Sequence, residues 1–169
     1  KRNLILVDHN QVVQSVDGIE EANILEVVDH HNLGSLGTTI PISFRTMPVG
    51  CTSTIIYEIY KENNVEIPGP IAGLMLSAIL SDTLLLKSPT TTNMDIEVAR
   101  KLAMIANLDI EEYGMNMLRA GSSIKGMTTE EIVEQDFKSF KLNDCSIGIG
   151  QVMTLDFEEI KKNINDYVK

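Results

Sequence analysis

The sequence predicts an α/β protein: a domain built on a parallel sheet, followed by a second, smaller α/β domain. Three observations carry this expectation. Two short apolar runs, Leu4-Ile5-Leu6-Val7 and Ile24-Leu25-Glu26-Val27-Val28, read as buried strands. A polar stretch separates them, long enough for the crossover that parallel neighbours need. Helix-type segments then follow one another from Gly50 onward until a small, polar, glycine-bounded run, Ala120 to Gly126, marks a boundary. The expected domains are therefore residues 1–120, a linker at 121–126, and 127–169.

Each element has its own local reason. The first strand runs to Val7 and gives way to Asp8-His9-Asn10; a short helical candidate at Ile19 to Ala22, after Asp17-Gly18, leads to the second strand. Asn32 to Thr39, with Gly34 and Gly37, reads as a loop. Ile40 to Arg45 alternates enough for another strand, and Pro41 favours an edge position because proline cannot donate to a ladder. Gly50-Cys51-Thr52-Ser53-Thr54 opens a helix to about Asn63; such residues can hold a phosphate on free backbone N–H groups, or serve as ordinary N-caps. After Pro68-Gly69-Pro70, Ile71 to Leu80 is apolar apart from Ser77, the pattern of a helix buried nearly all round.

Asn93 to Ala106 reads as a further helix. Asp109 with Glu112 makes a capping box for one reaching Arg119, and Thr128 with Glu131 does the same for a short helix beyond the linker. Phe137 to Leu142 and Ser146 to Met153 form an expected antiparallel pair turning at Asn143-Asp144, and Asp156 with Glu159 starts an amphipathic helix. Met104, Met115 and Met117 read as core fillers, and Tyr57 and Tyr60 as packing residues.

Bulk properties restrict the function. Of the 169 residues 43% are hydrophobic, ample for a buried core. The formal net charge of −10, with no Lys/Arg cluster to reverse it locally, disfavours a nucleic-acid partner. It does not exclude a phosphate substrate, since bound divalent cations invert the local potential. The two cysteines, Cys51 and Cys145, have no CxxC spacing and fit a reducing, cytoplasmic setting rather than a disulfide framework. The longest mainly apolar stretch is too short to span a bilayer, so no membrane partner is expected.

The chemistry-bearing residues gather at strand ends. All three histidines sit one or two places after an aspartate: His9 after Asp8, and His30 and His31 after Asp29. Ligand sites of open parallel sheets form at the carboxyl ends of the strands. Aspartate oxygens with imidazole nitrogens suit Mn, Co, Fe or Zn better than Ca. Asp82, in Ser81-Asp82-Thr83 at the end of the apolar helix, is the third metal-ligand candidate, because a lone carboxylate beside so apolar a segment is costly unless paired or coordinated; it also reads as a cap.

Four motifs then combine: Val7-Asp8-His9-Asn10, Val28-Asp29-His30-His31, Pro48-Val49-Gly50-Cys51-Thr52, and Leu76 to Thr83 ending in Ser81-Asp82-Thr83. In this order and spacing they closely resemble the DHH superfamily, and within it the family II, manganese-dependent inorganic pyrophosphatases. The resemblance continues through Leu86-Lys87-Ser88-Pro89-Thr90 and Glu111 to Leu118, covering essentially the whole chain. It implies hydrolysis of pyrophosphate to two orthophosphates, with Mn2+ or Co2+ at a dinuclear site and Mg2+ arriving with the substrate. It also implies a homodimer. By resemblance Asp8 bridges two metal ions, His30 and Asp82 are metal ligands, and His31 contacts the electrophilic phosphate. Lys138, in Asp136-Phe137-Lys138-Ser139-Phe140, corresponds to a substrate-binding lysine of the second domain. The implied chemistry is coherent: cations lower the pKa of a water, and cations and a lysine neutralise both phosphates.

The departures are as informative. The family's H-x-x-x-D-x-D and S-R-K motifs do not occur in this chain, and Gln11 stands where many relatives carry Glu. The sheet domain is thus expected to be incomplete at its N-terminus and the second domain to be a beginning only, a fragment inactive by itself. Two alternatives compete with the pyrophosphatase reading. A DHH-type phosphodiesterase acting on nucleotides or short oligonucleotides is disfavoured by the acidic charge, the few aromatics and the lack of a glycine-rich G-G-G-H-type run. The other is a non-catalytic, metal-binding fragment.

Overall fold

The structure, a computed structural model, describes residues 2–124, 126–143, 145–155, 161, 162 and 164. The chain divides into two compact units, Lys1–Gly114 and Met115–Lys169. The architecture is mixed α/β, with a parallel three-stranded sheet in the first unit and an antiparallel hairpin in the second.

In the first unit β1 (Asn3–Val7), β2 (Asn23–Asp29) and β3 (Ser43–Thr46) lie in that order, all parallel. Two 3-10 turns, Val12–Gln14 and Ile19–Glu21, make the crossover where a single short helix was expected. Val27 and Val28 explain why β2 is central. Consecutive strand residues point to opposite faces; Val27 packs with Leu6 and Ile19, while Val28 packs with Val49 and Ile55. The edge strand β3 starts at Ser43, just past Pro41, and is shorter than the alternation suggested.

Four helices follow: α1 (Thr52–Glu62), α2 (Gly69–Asp82), α3 (Asn93–Ala106) and α4 (Ile110–Gly121). The capping residue of α1 is Cys51, whose Sγ accepts from Ser53 N–H at 3.4 Å. The α2 helix has one buried side, formed by Ala72, Met75, Leu76, Ile79 and Leu80, but Leu74 is 68% exposed. The expectation of burial all round is thereby corrected. Met104 is 81% exposed on α3, so it is not a core filler. Beyond α2, Leu84, Leu85 and Leu86 all adopt left-handed φ values of 46°, 57° and 62°. Such backbone costs leucine about 1–2 kcal/mol per residue. Thr83 secures the turn: its hydroxyl accepts Leu86 N–H at 3.1 Å and its carbonyl accepts Ser88 N–H at 2.8 Å.

The division between units falls within α4, whose last turn includes Gly121. In the second unit, Thr128 and Glu131 form the expected capping box of α5 (Thr129–Val133). β4 (Phe137–Leu142) pairs antiparallel with β5 (Cys145–Gly150), which begins one residue earlier and ends three earlier than expected. Asp144 of the expected turn, and the Asp156 and Glu159 start of the expected last helix, lie outside the described residues. Among the described residues no helix is long and apolar enough to cross a membrane.

Candidate metal centre

The carboxyl ends of β1 and β2 lie side by side, and the candidate residues leave the sheet there. Asp8 N–H makes one more ladder-type bond, to Val28 O at 3.0 Å, while the residue itself turns into the left-handed region with φ +67°. Aspartate tolerates that conformation far better than a β-branched residue would. β2 ends at Asp29, and His30 and His31 follow. As a result His30 Nε2 stands 3.5 Å from Asp8 Oδ1. Asp8, His30 and His31 can each offer one ligand atom with all three atoms within 4.8 Å of one another. The two imidazole rings are tilted, with centroids 4.1 Å apart.

Hydrogen bonds set what these groups present. His30 Nδ1 lies 3.0 Å from the Val49 carbonyl oxygen. A carbonyl only accepts, so Nδ1 carries a proton, and the neutral ring then has its lone pair on Nε2 toward Asp8, the tautomer a metal ligand requires. Asp8 Oδ1 accepts the Thr52 hydroxyl at 2.7 Å. His31 Nδ1 donates to Asp29 Oδ1 at 2.7 Å, and the His31 backbone N–H reaches the same oxygen at 3.2 Å. The Asn10 side-chain amide donates to Asp29 Oδ2 and to Asn32 O, while its own oxygen accepts Gly34 N–H. Gly34 is required there: a Cβ would sit 2.3 Å from Gln11 Cγ and 2.7 Å from Asn10 Oδ1. Asp29 is fully buried. Burial alone would raise its pKa, but the donors from His31 and Asn10 outweigh that and hold it below the usual aspartate value.

The segment Met47–Thr54 supplies the next layer. It brings Val49 O to His30 and Thr52 to Asp8, and it is pinned from α3. Fully buried Asp95 accepts from Gly50 N–H at 2.8 Å, the Thr54 hydroxyl at 2.6 Å, Thr92 N–H at 2.8 Å and the Thr92 hydroxyl at 2.6 Å. Burial pushes the Asp95 carboxyl up, yet these hydrogen bonds bring it below the usual aspartate value. Gly50 permits the approach, because a Cβ would meet Thr83 Cγ2 at 2.8 Å and Asp95 Oδ2 at 3.0 Å.

The remaining sequence candidates are placed differently. Asp82 closes α2 and is exposed, so the cost of desolvating a carboxylate does not arise there. It is outside the three-residue cluster among the described residues, but it hydrogen-bonds the buried Cys51 thiol, next to Thr52. Burial and the Asp82 carboxylate push that thiol up to about 12, which keeps it protonated and inert. His9 is held by Val7 O and Ser15 Oγ, each 3.0 Å from a ring nitrogen, and takes no part in the cluster. Lys138 belongs to the second unit, on β4, 70% exposed and 3.8 Å from Asp136. The Gly50–Thr54 segment, open between phosphate cradle and cap at the level of sequence, bonds Asp8 through Thr52 and follows directly on Val49, whose carbonyl meets His30. Asn10, Asp29 and Thr52 could have been found, since all three lie inside the motifs quoted above, whereas Asp95 carried no signal beyond a cap.

The donor set fits a divalent first-row cation. An aspartate oxygen and a neutral imidazole nitrogen with its lone pair fixed outward are the ligands such ions take, and the outer ring nitrogen of His30 is bonded to a backbone carbonyl, as in metal-ligating histidines generally.

The chain is similar to known proteins over most of its length. Residues 2–79 match the DHH family, N-terminal domain, and residues 115–169 match the DHHA2 domain. The DHH match thus precedes the DHHA2 match along the chain. The manganese-dependent inorganic pyrophosphatase of Bacillus subtilis (strain 168) is 52% identical over 159 residues, 94% of this chain and 52% of that protein. A Clostridium acetobutylicum protein assigned the same activity is 50% identical over 170 residues, covering 99% of this chain and 55% of its own length. Among solved structures, a Methanococcus jannaschii protein assigned to the family II inorganic pyrophosphatases superposes with a TM-score of 0.79 at 44% identity, over 98% of this chain and 57% of that one. The chain thus carries a match to the DHH family, N-terminal domain, followed by one to the DHHA2 domain, and over most of its length it is similar to proteins named as manganese-dependent or family II inorganic pyrophosphatases. It spans about half the length of the curated relatives it matches.

Proposed function

We propose that the protein containing this chain hydrolyses inorganic pyrophosphate to two orthophosphates with divalent cations. The observation that carries this reading is the convergence of Asp8, His30 and His31 within 4.8 Å at the carboxyl edge of the sheet. The B. subtilis relative, named for manganese dependence and for pyrophosphate, supports the choice of metal and substrate.

In this reading Asp8, His30 and Asp82 are metal ligands, with Mn2+ or Co2+ resident and Mg2+ entering with the substrate. When bound, the cations supply positive charge against the phosphates and a lowered pKa for a water. The chain's own groups do the rest. Thr52 holds one Asp8 oxygen and leaves the other free for coordination; Val49 O fixes the His30 lone pair on Nε2. Asp29 engages His31 Nδ1 and leaves Nε2 of this half-exposed side chain for a phosphoryl oxygen. Lys138 contributes a mobile ammonium for the second phosphate. The reading keeps 1–120 as the metal-binding domain and 127–169 as the start of the substrate-binding one, joined by 121–126. It also holds the protein to be cytoplasmic and a homodimer, without a nucleic-acid or membrane partner.

The test is orthophosphate release from magnesium pyrophosphate by the protein containing this chain, with Mn2+ present. His30→Ala and Asp8→Ala are expected to lower kcat/KM by at least ~100-fold, and Lys138→Ala to raise KM, as losses of metal ligands and of a charge-assisted phosphate contact do. Turnover of a phosphodiester with pyrophosphate untouched would replace the substrate while keeping the site.

A further inference from the structure

The carboxylate of Asp95 does more than a helix cap requires. An acidic residue at the third position of a helix, paired with a threonine N-cap, completes a capping box with the backbone of its own first turn. Asp95 makes those bonds with Thr92. It is also 0% exposed and takes two further donors from outside its helix, Gly50 N–H and the Thr54 hydroxyl. Those two groups flank the stretch Cys51–Ser53 and sit on either side of Thr52, the residue that bonds Asp8; Val49, whose carbonyl holds His30, is the neighbour of Gly50. Gly50 has no Cβ to keep the carboxylate away.

We propose that Asp95 is a positioning residue for the metal centre: by clamping Gly50 and Thr54 it fixes the Val49 carbonyl and the Thr52 hydroxyl, and through them the ligand atoms of His30 and Asp8. This rests on the metal-site reading above. The hydrogen bonds of Asp95 go to Gly50, Thr54 and Thr92 and not to Asp8, His30 or Asp82, so its effect reaches the metal through the loop. Outer partners of this kind set ligand orientation, and their loss weakens metal affinity by roughly 10- to 100-fold.

The network itself provides the controls. Thr54→Val cuts the clamp to α1, whereas Thr92→Val cuts two bonds inside the α3 cap, the hydroxyl to the Asp95 carboxylate and Asp95 N–H to the hydroxyl, and leaves the Gly50 and Thr54 clamps in place. If Asp95 merely stabilises the fold, both substitutions lower the melting temperature and neither moves metal affinity. If it positions the site, Thr54→Val and Asp95→Asn weaken metal binding while Thr92→Val does not. The measurement is Mn2+ titration of the protein containing this chain, read from the electron paramagnetic resonance of free Mn2+ well below each variant's melting temperature. Expected results are a ~10-fold or greater rise in Kd for Asp95→Asn, a ~3-fold or greater rise for Thr54→Val, and a change within about twofold for Thr92→Val. Should Asp95→Asn fail to fold, the two threonine variants still decide. Asp8→Ala and His30→Ala separate the two ideas. If they abolish tight Mn2+ binding while Thr54→Val holds it within twofold of the parent, the site stands and the role of Asp95 is overturned. If they also leave binding unchanged, the metal-site reading falls and takes the inference with it.

Discussion

A carboxylate shut off from solvent keeps its charge only where its surroundings donate to it, and Asp29 and Asp95 both meet that condition. At Asp95 the facing groups are two hydroxyls and two backbone amides, from Thr54, Thr92 and Gly50. Its folded-state pKa therefore lies below the ordinary 3.8. The linkage has a definite sign: stability from this group is fully present above the unfolded value and is lost as pH falls through the lower folded value. Urea midpoints of the parent and of Asp95→Asn, measured between pH 6 and pH 3, are expected to differ by a constant amount at the upper end and to converge below about pH 3.8. A gap that stayed constant to the lowest pH would show that Asp95 does not titrate there. At this scale the sequence was legible where chemistry is local. Asp8, His30 and His31 follow strand ends directly, so reading the strands placed them. Thr52 lies 44 positions from Asp8, and Asp95 lies 45 from Gly50; no local pattern announces contacts so distant along the chain.

At the scale of elements, α2 separates what composition gives from what only packing gives. Its run of apolar residues announced a helix correctly, and proline near its start fits the first turn. Composition could not show which side is covered, because a helix apolar all round has no polar face to mark the outside. Leu76 is fully buried, whereas Leu74 is 68% exposed. Leu76→Ala is expected to cost about 2–5 kcal/mol through lost burial and the cavity left behind. Leu74→Ala should stay within about 0.5 kcal/mol of the parent, as surface substitutions do. Guanidinium denaturation of the two variants decides it, and equal losses would mean that the outer side of α2 is covered in solution. The capping boxes of α3 and α5 form at Thr92 and Thr128, the latter as the sequence predicted from Thr128 and Glu131, because that signal is confined to four consecutive residues. The left-handed leucines after α2 had no such signal. Their backbone is imposed by Thr83 and the turn around it, against the preference of the residues themselves.

For the molecule as a whole, the two units differ in what stands behind their strands. In the first, β2 is packed on both faces, by Leu6 and Ile19 around Val27 and by Val49 and Ile55 around Val28. In the second, every residue of β4 and β5 is exposed, including Phe137, Phe140, Leu142, Ile147 and Ile149. The hairpin was expected from two strand-like runs either side of Asn143-Asp144, a local signal, and that signal does not say what covers the strands; among the described residues neither face is buried. A two-stranded ladder without packing is marginal in water, and its hydrogen bonds open locally at little cost. Amide hydrogen exchange of the 169-residue chain should therefore show β2 and the buried turns of α2 exchanging only by the largest opening, with β4 and β5 amides faster by orders of magnitude. Adding Mn2+ should slow exchange at Asp8 and around Val49 to Thr54, because a ligand bound to the native site stabilises what holds it. The same addition at the β4–β5 ladder tests Lys138 independently: protection appearing there with magnesium pyrophosphate and Mn2+, but with neither alone, is the outcome expected if Lys138 meets the phosphates, and a ladder indifferent to both would remove it from the proposed site.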